Sequence, residues 1–513
     1  MRLGIDFGTT RTVVACADRG NHPVVDFVDE AGDSRGFVPS VVAERDGELR
    51  FGLDAVAVAD DPSFTMVRSF KRLLSRSRAG SEIIKVGSST LRVDELVAGF
   101  LSHVRHALLF RSNLRGPLKK GELRAAVGVP ANAHAAQRLI TLEGFRRAGF
   151  TVAAMLNEPS AAGFEYTHRH RSTLTSRRDR VVVYDLGGGT FDASVVRMTG
   201  HHHEVLATAG LPQLGGDDFD ALLAEMALAA AGLTPGALSP RAAYQWLEQC
   251  RVAKEALHAN SRKVTLDLEA ALGQDAPRPE VSLPTATFYD ACMPLVTRSI
   301  EAMAPLMSPA NGDASPDVDE VAGVYVVGGA SELPIVGRAL RERFGRRVHR
   351  SPYLSAAVAI GLSIACDEGA DFRLVDRYSR IFGVFREADD GREIVLDPIF
   401  GREVPLPTAD EPVVSTRTYR ARHNIGHYRF FECSDLDDHG KPRGDMTLHL
   451  DVRIPFESAL AEGRGSLASC PIERRLDEGP HVVERYSLDR SGLVHVSIRN
   501  EDTGYEYQYQ FGA

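Results

Sequence analysis

Val181-Val182-Val183-Tyr184-Asp185-Leu186-Gly187-Gly188-Gly189-Thr190-Phe191-Asp192 is the stretch whose reading decides the fold. An apolar strand ends in a carboxylate, three glycines turn the chain, and Phe191-Asp192 starts a returning strand that runs through Val195-Val196. Alone, a glycine triplet is most often a flexible turn, and an Asp after a strand is a cap or turn former. Two carboxylates and a hydroxyl enclosing the glycines are far more specific. Consecutive backbone N–H groups at such a turn form an anion-binding nest, and glycine permits both the backbone angles and the close approach.

Working outward, the same layout occurs near the N-terminus as Leu3-Gly4-Ile5-Asp6-Phe7-Gly8-Thr9-Thr10, followed by Val13-Val14-Ala15. A third apolar strand with a small-residue turn is Val324-Tyr325-Val326-Val327-Gly328-Gly329-Ala330-Ser331, which leads into helical periodicity from Val336 to Phe344. Two matching hairpins at long spacing imply a duplication, with two related α/β lobes facing one cleft. Between them, Leu123 to Val129 and Ala153 to Leu156 read as strands. Ala135 to Ala148, Asp217 to Ala231 and Tyr244 to His258 read as helices, and Pro159 opens another. His168 to Arg180 reads as a polar, basic surface connection.

After about Ala365 helical periodicity gives way to short strands: Arg380–Arg386, Glu393–Leu396, His427–Glu432, Met446–Ile454, Tyr486–Leu488 and Leu493–Arg499. Asp489-Arg490-Ser491-Gly492 reads as a hairpin loop, and Tyr505, Tyr507 and Tyr509 alternate with polar residues as in a half-buried strand. The whole is α/β, with an all-β module following two α/β lobes.

Composition bounds the function. The 513 residues carry a net charge of −9, with 43% hydrophobic and 25% charged residues, as globular multidomain chains do. An acidic balance argues against a nucleic-acid coat. Six scattered cysteines without a CxxC pair indicate neither a disulfide framework nor zinc, and fit a reducing cytoplasm. Neither a signal peptide at the start nor a membrane-spanning run is expected. His201-His202-His203 is expected at a hairpin tip rather than on a metal. Arg169, Arg171, Arg177, Arg178 and Arg180 are read as a solvated loop.

The chemistry follows from the turns. Gly8-Thr9-Thr10 and Gly187-Gly188-Gly189-Thr190, facing each other, would grip a polyphosphate from both sides. Asp6, Asp185 and Asp192 beside phosphate require a hard divalent cation between, and Mg²⁺ keeps several waters in such sites. Gly328-Gly329 has no acidic strand end and suits close packing against a flat adenosine.

These segments resemble the two phosphate motifs and the adenosine motif of the actin, sugar-kinase and heat-shock ATPase superfamily. Phe70-Lys71-Arg72-Leu73-Leu74, Val129-Pro130-Ala131, Gln137-Arg138, Asn157-Glu158-Pro159-Ser160-Ala161-Ala162-Gly163, Glu204 to Thr208 and Gly215-Gly216-Asp217-Asp218-Phe219-Asp220 narrow the resemblance to the seventy-kilodalton heat-shock chaperones of DnaK type. Val404 to Thr408, Asn424 to Glu432 and Val483 to Gly504 are similar to the family's peptide-binding sandwich.

The resemblance implies a two-lobed actin-like ATPase with duplicated ribonuclease-H-like lobes over residues 1–366 (lobes at about 1–175 and 178–350). A linker over 367–380 and a β sandwich over 381–513 would follow. It implies slow hydrolysis of ATP, with ATP/ADP and Mg²⁺ as ligands, coupled to polypeptide binding, protein folding and the stress response. Lys71, Glu158, Thr190 and Asp192 would be catalytic. Gly8, Thr9, Thr10, Gly187, Gly188, Gly189, Gly215, Gly216, Lys254, Glu255, His258, Gly328, Gly329, Ala330 and Glu332 would surround nucleotide. Asp6, Asp185 and Asp192 would hold Mg²⁺ through water. Pro130, Arg138 and Asp376 would relay nucleotide state, and Val384, Val414 and Tyr428 would line a peptide groove. A J-domain co-chaperone and a nucleotide exchange factor are the implied partners, without nucleic acid or membrane.

Departures from the pattern carry expectations of their own. Glu255, His258 and Glu332 stand where the family commonly has Arg, Ser and Arg, so nucleotide affinity is expected to be weaker, since a carboxylate cannot stack on adenine. Arg251 leaves the ion-pair partner of Lys254 open. Arg373 interrupts the apolar linker Phe372-Arg373-Leu374-Val375-Asp376 and is expected to weaken its docking. No helical lid is expected after Phe511-Gly512-Ala513, so peptide release is expected to be fast. A nucleotide-dependent scaffold or sensor with one dedicated partner is the alternative. A small-molecule kinase is disfavoured by the β module.

Overall fold

In the computed structural model, residues 2–75, 82–116, 122–170, 174–175, 177–234, 236, 238–273, 276–307, 321–367, 369, 373–457, 460, 467–475 and 479–511 are described. Arg171, Phe372, Gly512 and Ala513, read above, lie outside them. The chain divides into two compact units. One comprises Met1–Leu73, Ile83–Ala131 and Glu143–Leu374; the other comprises Leu74–Glu82, Asn132–Leu142 and Val375–Ala513.

The first unit is built on two sheets of one plan. One runs in the order Thr151–Asn157, Arg124–Val129, Arg2–Phe7, Arg11–Cys16, Val38–Pro39; the other runs Val348–Arg350, Val321–Val327, Arg180–Leu186, Phe191–Thr199, His202–Leu211, Arg373–Val375. In both, the strand closing on an Asp is interior, with its hairpin partner antiparallel on one side and a parallel strand on the other. The duplication expected from the hairpins is therefore a duplication of topology. Strands buried on both faces explain the continuous apolar runs, since a solvated face would have imposed alternation.

Two helices cover the inner faces at bare-backbone distance. A Cβ on Gly361 would lie 1.8 Å from the carbonyl oxygen of Ala161, and one on Gly4 would lie 2.2 Å from that of Ala359. Helix Ala357–Cys366 is buried from Ala357 to Ile364, which fits its apolar sequence on all sides.

Element boundaries shift where terminal chemistry is weakly marked. The helix read from Tyr244 starts at Pro240, whose missing N–H is harmless at the first helical position, and Ser239 accepts from the Ala242 N–H at 3.2 Å as its cap. The connection expected from His168 begins later, because helix Glu158–His170 continues through it. His202 and His203 begin strand His202–Leu211 rather than occupying a turn. His203 is buried, stacked on Phe164 at 4.7 Å and hydrogen-bonded to Thr167 at 3.0 Å. Arg373 does not break the apolar face of its strand, since alternation exposes it while Leu374 packs inward.

The second unit holds a β sandwich. One sheet runs Glu393–Phe400, Ile381–Ala388, Ile425–Leu436, Pro442–Pro455; the other runs Val413–Arg420, His481–Leu488, Val494–Asn500, Glu506–Gln510. Phe382, Val384, Phe430, Tyr486, Val496 and Phe511 fill the space between them. The Asp489–Gly492 turn is shaped by Asp489, which accepts from the N–H groups of Ser491 and Leu493 at 2.8 and 3.0 Å, while Gly492 takes φ +73°.

This unit also buries charge. Glu432 accepts from the Ala135 N–H at 3.1 Å, from the Tyr378 hydroxyl and from His449 at 2.8 Å, and lies 3.6 Å from Arg380. These partners hold the Glu432 carboxyl well below the usual range despite the opposing effect of burial, the largest influence on it.

Candidate active site

The two glycine turns of the first unit approach to contact. A Cβ on Gly188 would lie 2.5 Å from Oγ1 of Thr10, and one on Gly189 would lie 2.7 Å from Cγ2 of Thr9. Neither glycine tolerates a side chain while the turns face each other. Gly8 is constrained within its own turn, where a Cβ would meet the Arg11 carbonyl oxygen at 2.3 Å. The second turn is laced to the start of helix Gly216–Ala230. The Gly216 and Asp217 N–H groups donate to the Gly187 and Gly188 carbonyls at 2.9 and 2.8 Å, and Gly215 leaves no room above the Gly188–Gly189 peptide.

Between the turns lies a cavity of about 270 Å³. Asp6, Gly8, Thr9, Thr10, Lys71, Glu158, Asp185, Gly187, Gly188, Thr190, Gly216, Lys254, Glu255, Gly328, Gly329, Ala330 and Glu332 all line it. Asp192 sits behind this wall, directly opposite Asp185 in the hairpin register, with its Oδ1 accepting from the Ala131 N–H at 2.9 Å. Gly189 and Gly215 support the wall through their backbone. His258 does not line the cavity: it is exposed just past the helix end and interacts with Asn260 and Ser261.

The cavity concentrates negative charge. Burial, then Glu158, raises the Asp6 carboxyl to about 7, and burial, then Glu158, raises Asp192 to about 7. Asp185 is pushed well above the usual range by burial and then by Glu158, Asp192 and Asp6. Lys71 opposes the rise at all three. Its Nζ donates to Oε1 of Glu158 at 3.0 Å and lies 5.3 Å from the Phe7 ring centroid.

Carboxylates crowded this closely lack compensating charge, and that donor set suits a hard divalent cation. Among the described residues no three His, Cys, Asp or Glu side chains converge tightly enough to ligate a metal directly.

Several lining residues carried too weak a signal to be selected from sequence. Lys254 pairs with Asp220 at 2.7 Å and donates to the Gly216 carbonyl at 3.0 Å, which answers what balances it. Asp220 was readable in the Gly215–Asp220 run, one helical turn beyond the glycines. Arg251 instead pairs with Glu248 at 2.9 Å and Glu255 at 3.3 Å. Arg11 crosses the cleft to Glu255 while stacking 4.6 Å above Phe37, so Glu255 serves a cross-cleft ion pair where stacking on a base had been the comparison. Arg72 reaches Asp218 at 3.2 Å. Long-range pairs of this kind have no sequence spacing to betray them.

Of the other expected residues, Pro130 is buried at the end of strand Arg124–Val129 in the first unit. Arg138 and Asp376, both buried, fall in the second unit, where Arg138 donates to the Ser491 carbonyl at 3.3 Å. Val384 is fully enclosed in the sandwich core, Val414 projects from an edge strand, and Tyr428 lines a cavity of the sandwich.

Residues 2–379 match the family model described as Hsp70 protein. The chain is also similar to proteins named chaperone protein HscA homolog. Identity is 33% over 531 residues with that of Burkholderia multivorans, 34% over 531 with that of Burkholderia pseudomallei, and 34% over 526 with that of Bordetella petrii. Each alignment covers 99% of this chain and 77% of the relative. The chain belongs to the Hsp70 family. It is accordingly a nucleotide-binding ATPase and an ATP-dependent chaperone, and relatives named as chaperones do not favour the scaffold reading.

Proposed function

We propose that ATP is bound and cleaved in the cavity between the two glycine turns. Residues 1–366 would form the ATPase domain, 367–380 the linker and 381–513 the polypeptide-binding domain. The observation that supports this reading is the cluster of buried carboxylates beside two facing glycine turns that bring Thr9, Thr10 and Thr190 to the same cavity. Thr9, Thr10 and the Gly187–Thr190 turn hold the phosphates, and Gly328, Gly329 and Ala330 pack on the adenosine. Asp6 and Asp185, with Asp192 behind them, would hold a Mg²⁺ through its waters, and that ion would supply charge neutralisation for the phosphates.

Little covalent chemistry falls to the protein. Water oxygen bonds to the γ-phosphorus as the bond to the β–γ bridging oxygen breaks. Glu158, on the cavity wall, orients that water, Asp192 supports the cluster from behind Asp185, and the water's proton passes to a carboxylate of this cluster. Lys71, steadied by Glu158, stabilises charge on the γ-phosphoryl oxygens.

The polypeptide partner is an extended segment, and a J-domain co-chaperone and an exchange factor are its regulators. No described helix is long and apolar enough to cross a membrane. The six cysteines are all free, which supports a cytoplasmic setting.

Calorimetric titration with ATP and ADP, with and without Mg²⁺, combined with steady-state turnover with and without an extended peptide, tests the reading. Mg²⁺-dependent binding and peptide-stimulated turnover are expected. Binding without turnover would overturn it.

A further inference from the structure

The sandwich carries a second cavity of about 660 Å³, within the range that accommodates ligands. It opens where the edge strands Glu393–Phe400 and Val413–Arg420 end their respective sheets, so both walls present strand backbone without a further neighbour among the described residues. Such edges accept an extended chain by backbone pairing.

The cavity floor is polar and internally matched. Arg386 donates two parallel bonds to buried Glu484 at 3.1 and 2.6 Å and a third to Asp397 at 2.7 Å. Tyr419 donates to Glu484 at 2.6 Å and shares a 2.6 Å hydrogen bond with Tyr428.

The rim is not matched. Each lining carboxylate has a cation of its own: Asp397 has Arg386 and Arg417, Asp390 has Arg474, Asp389 has Arg392, and Glu387 has His423. Arg422 and Arg429 also line the cavity, yet neither has a carboxylate partner among the described residues. Arg429 lies 5.5 Å from the centroid of Phe385, so its plane is fixed while its N–H edge stays available for a two-pronged carboxylate contact. Exposed Ile394 and Ile472 supply apolar surface beside these guanidinium groups.

Resting on the chaperone reading, we infer that this cavity binds an extended polypeptide segment carrying a carboxylate side chain close to an aliphatic one, and not a purely apolar segment. Open edges select an extended chain, the unmatched arginines select the acid, and the isoleucines select the neighbour.

The test is fluorescence anisotropy on the full chain with ADP, using short labelled peptides in which Leu alternates with Glu, Gln or Lys. The Glu peptide should bind at least about tenfold more tightly than the Lys peptide, and the preference should shrink with added salt. Arg422→Glu, at an exposed site, should reduce it, and Arg422→Glu with Arg429→Glu should reverse it. Unchanged melting midpoints would confirm the fold of each variant. Equal affinity for Glu and Lys peptides, or a preference untouched by charge reversal, would overturn the inference. If the Gln peptide binds and stimulates turnover as well as the Glu peptide, the acid preference alone fails. If no peptide binds or stimulates, the chaperone reading fails with it.

Discussion

The two units bury charge in opposite ways. In the cleft, Asp6, Asp185, Asp192 and Glu158 crowd around Lys71, and three of the carboxyls are driven up. In the sandwich, Glu432 is surrounded by Arg380, His449, Tyr378 and a helix N–H, and its carboxyl is driven down. Burial costs both carboxylate sets solvation; the four in the cleft share Lys71, whereas Glu432 has enough partners to outweigh the cost. A buried group the protein satisfies itself specifies structure, while one it leaves unsatisfied waits for something from outside.

The largest expected effect tests the matched side. Glu432→Leu leaves His449 buried without its acid, and Arg380 with Asp445 alone at 2.9 Å, and should lower unfolding free energy by about 3–5 kcal/mol, read by denaturant titration. A loss below 1 kcal/mol would show that the cluster is not held as described. On the unmatched side, Lys71→Ala should reduce steady-state turnover by about 10²–10³-fold.

Asp6→Asn sharpens the contrast, since it should slow turnover while stabilising the nucleotide-free protein. The wild-type Asp6 holds its proton up to about 7 when folded but only to about 3.8 when unfolded. Between those values the folded state binds the extra proton, so wild-type stability falls as pH rises. The melting advantage of the variant should therefore be small near pH 4 and grow through about 7.

His134, within the matched cluster, behaves with the reverse sign. Burial lowers it from 6.5 to about 4, so the unfolded chain takes up protons first on acidification. Its contribution is complete above 6.5 and is lost as pH falls towards 4, and His134→Gln should flatten that part of the melting curve. The smallest effect is expected at the half-exposed Arg11–Glu255 pair, where Glu255→Gln should alter ADP affinity by no more than about 1 kcal/mol.

Much of the cleft was legible because its chemistry is local. Asp185, the glycines, Thr190 and Asp192 lie within one hairpin, so the turn that makes the nest also brings the carboxylates together in register. The same locality made the sandwich hairpin at Asp489–Gly492 readable. What escaped were pairs joined only by folding: Lys254 with Asp220, Arg11 with Glu255, Glu432 with Arg380. Val384 shows the converse limit. Strand alternation places it inward, but whether inward means core or groove depends on the opposing sheet.

Gly188 and Thr10 meet with nothing thicker than a main chain on one side. The width of the cleft is thereby set by an omission, the missing methyl at Gly188. Replacing it with alanine would set a methyl about one carbon deep into the Thr10 side chain and force the two turns to draw apart.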